Sequence, residues 1–225
     1  LALYMLSISN NDQTIDTDNA GGGSFDAIKN SLQINEIRNI ASYVWIWTAL
    51  MTVQWITAIN IVEDWSQNSE QRLRFFAIME QVISPLTLII QLFFTNLIIK
   101  KIGIKNILLS YGILFFIAFM LYGLIPSIIS VGVVTVFLRV FEYGINKPTR
   151  ETIFSTLKKN DRYKSTVFID TFISRFGDLS GSGFIAIGKL TSIAANSLPL
   201  IAIPIAGFLS ILGIRISRNI NTKDL

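Results

Sequence analysis

Asp170, Arg175 and Asp178 stand in the stretch STVFIDTFISRFGDLSGSGF, whose other residues read as a lipid-soluble helix. A charge at the centre of a bilayer costs roughly 2.5–3.5 kcal/mol even on the lenient insertion scale. Three of them facing acyl chains would keep the segment out of the membrane. They must therefore face sister helices, a partner charge or water. On a helical wheel Asp170, Ser174, Gly177, Asp178 and Gly181 share one face, and Arg175 lies about 60° from Asp178. Arg139 and Glu142, three residues apart in the preceding apolar stretch, are the expected partners. Two chemistries fit this set. One is a salt-bridge lattice that pins two helices together. The other is a substrate site or gate that binds a charged solute and couples it to a change of conformation.

A second polar face stands earlier. Glu80, Ser84, Thr87, Gln91 and Thr95 recur at steps of three and four, within about 70° of arc on a helix. Such a face either hydrogen-bonds to a neighbouring helix or lines a cavity. Other chemistries are excluded by inventory. The chain has no Cys and no His, which removes disulfides, thiolate chemistry, the usual zinc ligands and His-based triads. Neither a cofactor nor a metal is expected. Gly183 to Lys189 spells G-x-x-x-x-G-K, but Leu190 follows where Ser or Thr is required, and no strand precedes it.

The elements that must hold these residues are apolar helices. Of 225 residues 51% are hydrophobic and only 15% charged, against roughly 25% charged in soluble domains. The apolar residues come in runs of about twenty, the length that crosses a bilayer. Six spans are expected, at about 40–62, 81–99, 106–125, 127–144, 165–188 and 196–215. Residues 1–8 read as the end of an earlier span, so the chain is expected to be a fragment. Residues 9–39, with their AGGGS, read as a central linker, and 216–225 as a tail. Fourteen Lys and Arg fall in the linker, the KKIGIK turn, the 145–164 connection and the tail, against three in the opposite connections. This asymmetry puts the fourteen in the cytoplasm, and explains a net charge of +4 without nucleic acid. Residues 146–164 read as a short surface helix opened by Asn146 and Pro148, its basic residues near headgroups. Trp45, Trp47, Trp55 and Trp65 read as interface anchors. The fold class expected is an all-α membrane protein, a six-helix transmembrane bundle forming the C-terminal half of a twelve-span carrier.

KKIGIK, with Lys101, Gly103 and Lys105, resembles the basic loop motif of major facilitator carriers, although Asn96 and Lys100 replace the usual Gly and Asp. KPTRE (Lys147 to Glu151) and YKSTVFIDTFISRFGD (Tyr163 to Asp178) resemble the ATP/ADP translocase-like carriers, above all their relatives in free-living bacteria. Pro148, Arg150, Glu151, Lys164, Asp170, Arg175, Gly177 and Asp178 match that arrangement. Glu63 resembles an acidic residue of the nucleotide exchangers at the corresponding span end, which adds it to the cavity residues. Where those exchangers carry a Lys that bears on nucleotide binding, this chain has Asp178. A carboxylate there repels a triphosphate.

The resemblance implies a secondary carrier working by alternating access in a bacterial inner membrane, with its linker and C-terminus cytoplasmic. Arg139 and Arg175 would attract a nucleotide or other organic anion, with Glu142, Asp170 and Asp178 as gating carboxylates. Its partners would be the lipid bilayer, the solute and the N-terminal half of the same carrier. The alternative is a carrier-fold interaction or scaffold protein without transport. An enzyme is not expected.

Overall fold

The computed structural model describes residues 35–155, 165–194 and 197–221. Residues 1–8, expected to end an earlier span, most of the expected linker, Lys164 and the last four residues of the tail lie outside the described residues. Among the described residues every regular element is helical. Helix α1 is Asn35–Trp65. Helix α2, Ser69–Ile89, passes through a π-helical turn, Ile90–Phe94, into α3, Thr95–Leu124. Helix α4, Ile128–Phe141, runs through a second π turn, Glu142–Asn146, into α5, Lys147–Ser155. A third π turn, Ile169–Ile173, leads into α6, Ser174–Leu190. Helix α7 is Leu198–Asn221.

Local chemistry sets several of these ends. Asn68 caps α2 by accepting the Glu70 backbone N–H at 2.9 Å, and Glu70 places a negative charge in the first turn, where the helix dipole favours it. Ser127 and Ser130 form a reciprocal capping box at the start of α4, just after Pro126. Gly103 has φ 80° and ψ 152°, a backbone conformation closed to residues with a Cβ, and interrupts the long helix there.

The contacts fix the direction of each pass. Tyr43 bonds the Leu108 carbonyl and Gln54 bonds Tyr122, so α1 and the arm of α3 after Gly103 run parallel. Trp47 meets Arg150 while Gln54 meets Thr135, so α4 and α5 run antiparallel to α1. Phe75 faces Gly132, and Thr95 bonds the Gly144 carbonyl, so α2 runs with α4. The chain therefore reverses at Gly103, as the KKIGIK turn requires. Gly177 faces Trp45 and Thr48 while Gly181 faces Ala49 and Thr52, so α6 runs with α1. Helix α7 runs back against α3, with Leu200 on Gly123 and Ser210 on Leu109.

The core lies between α1, α3 and α7, where Tyr43, Tyr111, Phe115, Phe119, Tyr122, Ala206 and Leu209 are fully buried. Large apolar side chains also cover the outside. Leu92, Phe93, Ile129 and Leu190 are all more than two-thirds exposed. Among the described residues four helical stretches are long and apolar enough to cross a membrane: Ile37–Trp65, Ser69–Leu124, Ile128–Ser155 and Leu198–Ser217. An apolar exterior of this extent suits acyl chains rather than water. The chain is thus an integral membrane protein whose described residues form helices alone among regular elements. The helix of 165–190 is present, but its charges keep it from qualifying on composition.

Two differences from the sequence reading have physical causes. Helix α2 begins at Ser69 rather than near 81, because SEQRLR is polar but strongly helix-forming once Asn68 caps it. The expected break after 144 does not occur. The helix continues to Ser155, and Asn146 is a buried partner of Glu142 rather than a helix start.

Candidate functional site: a charged cavity between three helices

Helix α1 supplies one wall of the cavity. Trp47, Met51, Gln54 and Trp55 recur at steps of four, three and one, which places them on one helical face. Together with Thr52 they line a cavity of about 580 Å³. Arg139, Glu142 and Tyr143, from α4 and its π turn, form the second wall, and Asp178, Leu179 and Ser182 of α6 form the third.

Each charge in the wall has a defined setting. Arg139 forms an ion pair with Glu80 of α2, and its guanidinium lies 4.9 Å from the centre of the Trp55 ring. Glu142 is buried. Its Oε2 accepts from the Tyr111 hydroxyl at 2.9 Å and from Asn146 Nδ2 at 2.7 Å. Its Oε1 accepts from Arg150 Nη2 at 3.3 Å. Glu142, Asn146 and Arg150 stand four residues apart, so consecutive helical turns present them to one side. The Arg150 guanidinium covers the Trp47 ring at 5.1 Å. Asp178 accepts from the Thr52 hydroxyl at 2.9 Å and from Arg175 Nη1 at 3.3 Å.

The cavity brings together Arg139, Glu142 and Asp178 from the expected gating set. Asp170 is exposed on the third π turn, and Arg175, 84% exposed, lies off the wall. The expected pairing of Arg139 and Glu142 with the α6 charges does not form. Their partners are Glu80 and Arg150, because the cavity itself separates α4 from α6.

The expected cavity residues of α2 do not line this cavity. Gln91 Nε2 donates to the Tyr143 carbonyl at 2.9 Å and Thr95 to the Gly144 carbonyl at 2.5 Å, so both hold α2 to the second π turn. Thr87 Oγ1 is buried without a hydrogen-bond partner among the described residues, and Ser84 is exposed. Glu63 is exposed at the end of α1. Replacing Thr95 by Val keeps the shape and removes the hydroxyl that the Gly144 and Ile90 carbonyls share. It should lower stability by about 1 kcal/mol, read as a lower unfolding midpoint in a detergent melt. An unchanged midpoint would show that those carbonyls are satisfied without Thr95.

Among the loop-motif residues, Lys101, Lys105 and Glu151 are exposed, and Pro148 is half-buried inside the continuing helix. Arg150 is buried rather than in a water-facing loop. Nor are the tryptophans a single interface belt. Trp45 bonds Ser180, Trp47 and Trp55 line the cavity, and only Trp65 stands at the end of α1. Gln54, absent from the expected site, donates to Tyr122 and Thr135 and ties α1 to α3 and α4. A lone Gln in an apolar span was the available sign of it.

No family model, curated protein or solved structure matches this chain.

Proposed function

We propose that this chain is the six-pass half of a major facilitator-type secondary carrier that moves a small solute by alternating access. The observation that carries this is the cavity of about 580 Å³, walled by charged and aromatic residues of apolar helices. That volume is in the range of small-molecule sites. Ionisable groups held inside a membrane bundle mark solute paths more often than they mark stability. The alternating directions of the passes support the half-carrier architecture. So does the resemblance of KPTRE and YKSTVFIDTFISRFGD to translocase-like carriers. The charge asymmetry of the connections supports a cytoplasmic C-terminus.

Arg139 is the residue placed to couple solute to conformation. It touches the cavity and holds α2 through Glu80. A solute whose charge disturbs the Arg139–Glu80 pair, by attracting or repelling either partner, loosens α2 from α4, and a gate needs such a pair to break and re-form. A carrier-fold interaction protein without transport is the second reading, favoured by the internal pairing of Glu142 with Arg150.

Uptake into proteoliposomes bearing the intact protein separates the two. Arg139→Gln keeps much of the side chain's bulk but removes the charge. It should cut uptake roughly tenfold or more while the amount of inserted protein stays level. Undiminished uptake would remove Arg139 from the solute path. Wild-type protein that takes up nothing from a broad solute panel would favour the scaffold.

A further inference from the structure

The charges on the cavity wall are unequal in what they still offer. Arg139 is engaged by Glu80 and stacked on Trp55. Glu142 already receives Tyr111, Asn146 and Arg150. Asp178 receives the Thr52 hydroxyl on Oδ1 and Arg175 on Oδ2. The Asp178 side chain is 43% exposed, and that of Arg175, 84% exposed, lies outside the wall. Arg175 therefore meets Asp178 from outside the cavity. Each carboxylate oxygen also keeps a further lone pair. The wall therefore offers one open anionic acceptor, while its arginine has a carboxylate partner of its own.

The tryptophans are engaged as well. Trp47 and Trp55 each already hold a guanidinium on one ring face at about 5 Å, so the cations those faces attract are in place. A polyanion entering the cavity meets Asp178 as the exposed carboxylate, while Arg139 is already paired with Glu80 and Glu142 with Arg150. The like charge of Asp178 opposes its binding.

We propose that the cavity takes a solute bearing an organic cation, an ammonium group alone or within a zwitterion. Asp178, oriented by Thr52, receives that group. The proposal rests on the carrier reading and names its substrate class. It departs from the nucleotide or other organic anion expected from the family resemblance.

The test is uptake by the intact protein in proteoliposomes, one labelled solute at a time. Choline, L-lysine, glycine betaine and spermidine form the cationic and zwitterionic arm. ADP, citrate and glucose 6-phosphate form the anionic arm, with sucrose as the neutral control. At least one solute of the first arm should enter. Asp178→Asn should lower that entry roughly tenfold or more, with an unchanged melting midpoint in the absence of solute. Thr52→Val, which removes only the orienting hydroxyl, should lower it by a smaller factor, and it serves as the reading where Asp178→Asn does not insert. Entry confined to anions or sucrose overturns the cation assignment and leaves the carrier intact. The same holds for amine entry indifferent to both substitutions. No entry of any solute overturns both.

Discussion

Arg150→Ala should destabilise the bundle by about 3–5 kcal/mol. The pair it breaks is buried on both sides, with 9% of the Arg150 side chain and 4% of the Glu142 side chain exposed. Removing the guanidinium leaves an ionised or newly neutral carboxylate with only Tyr111 and Asn146 as donors. It also strips the Trp47 ring of its cation and opens a void between α5 and α1. In a chain of this length the loss corresponds to roughly 6–20 °C in the unfolding midpoint. The cost belongs to the orphaned partner rather than to the attraction itself. Replacing both groups, Glu142→Gln with Arg150→Met, should therefore recover most of the stability. Arg150→Lys should recover only part, since an ammonium cannot both lie flat on Trp47 and reach Glu142 as the planar fork does. A single substitution that costs less than about 1 kcal/mol would mean that water reaches the pair and that Glu142 is not sealed in the bundle.

That pair also shows where the sequence was legible and where it was not. Hydropathy marked the apolar stretches, and among the described residues four helical stretches are long and apolar enough to cross a membrane. KKIGIK was legible as a connection from its charges, and the structure adds that Gly103 breaks the helix there with a positive φ. The α2 polar face was legible as a face, and Gln91 and Thr95 do point together at the second π turn. Its neighbour was not legible. Periodicity states which residues share a side, never what that side meets. Lys147 and Arg150 looked like part of a separate surface helix after the span because a window average counts charges one by one. It cannot register that Arg150 lies two turns beyond Glu142 and faces the same way. The Trp47, Gln54 and Trp55 wall was hidden for the related reason that a cavity is a property of three helices at once.

The π turns join these observations into one arrangement. Two of them, Ile90–Phe94 and Glu142–Asn146, lie side by side and are stitched by Gln91 and Thr95. Glu142 itself opens the second turn and lines the cavity. A π turn widens the helix and shifts the register of the helical turns beyond it. The residue that faces the cavity and the backbone that α2 grips are thus the same few residues. The gripped carbonyls belong to Tyr143 and Gly144, the two residues that follow Glu142.

The other large effect is steric and lies on the opposite wall. Gly177 and Gly181 let α6 settle onto α1, and a methyl group at Gly181 would come within 2.4 Å of the Ala49 carbonyl oxygen and 2.8 Å of Thr52 Cβ. Normal carbon contacts need about 3.5 Å. The obstruction is backbone, so no rotamer relieves it, and α6 must move out. Gly181→Val should cost roughly 3 kcal/mol, the upper part of the range for overpacking. It should also lengthen the 2.9 Å bond between Thr52 and Asp178, since both partners lie on the two helices forced apart. Gly183 is the matched control. It stands two residues along the same helix with nothing within 4 Å of its added Cβ. Gly183→Ala should leave uptake unchanged and raise stability by up to about 1 kcal/mol, the helix preference of Ala over Gly. Melting midpoints and uptake of both variants decide the matter. If Gly181→Val behaved like Gly183→Ala, α6 would not pack on α1 through these glycines, and the third wall of the cavity would have to be placed elsewhere.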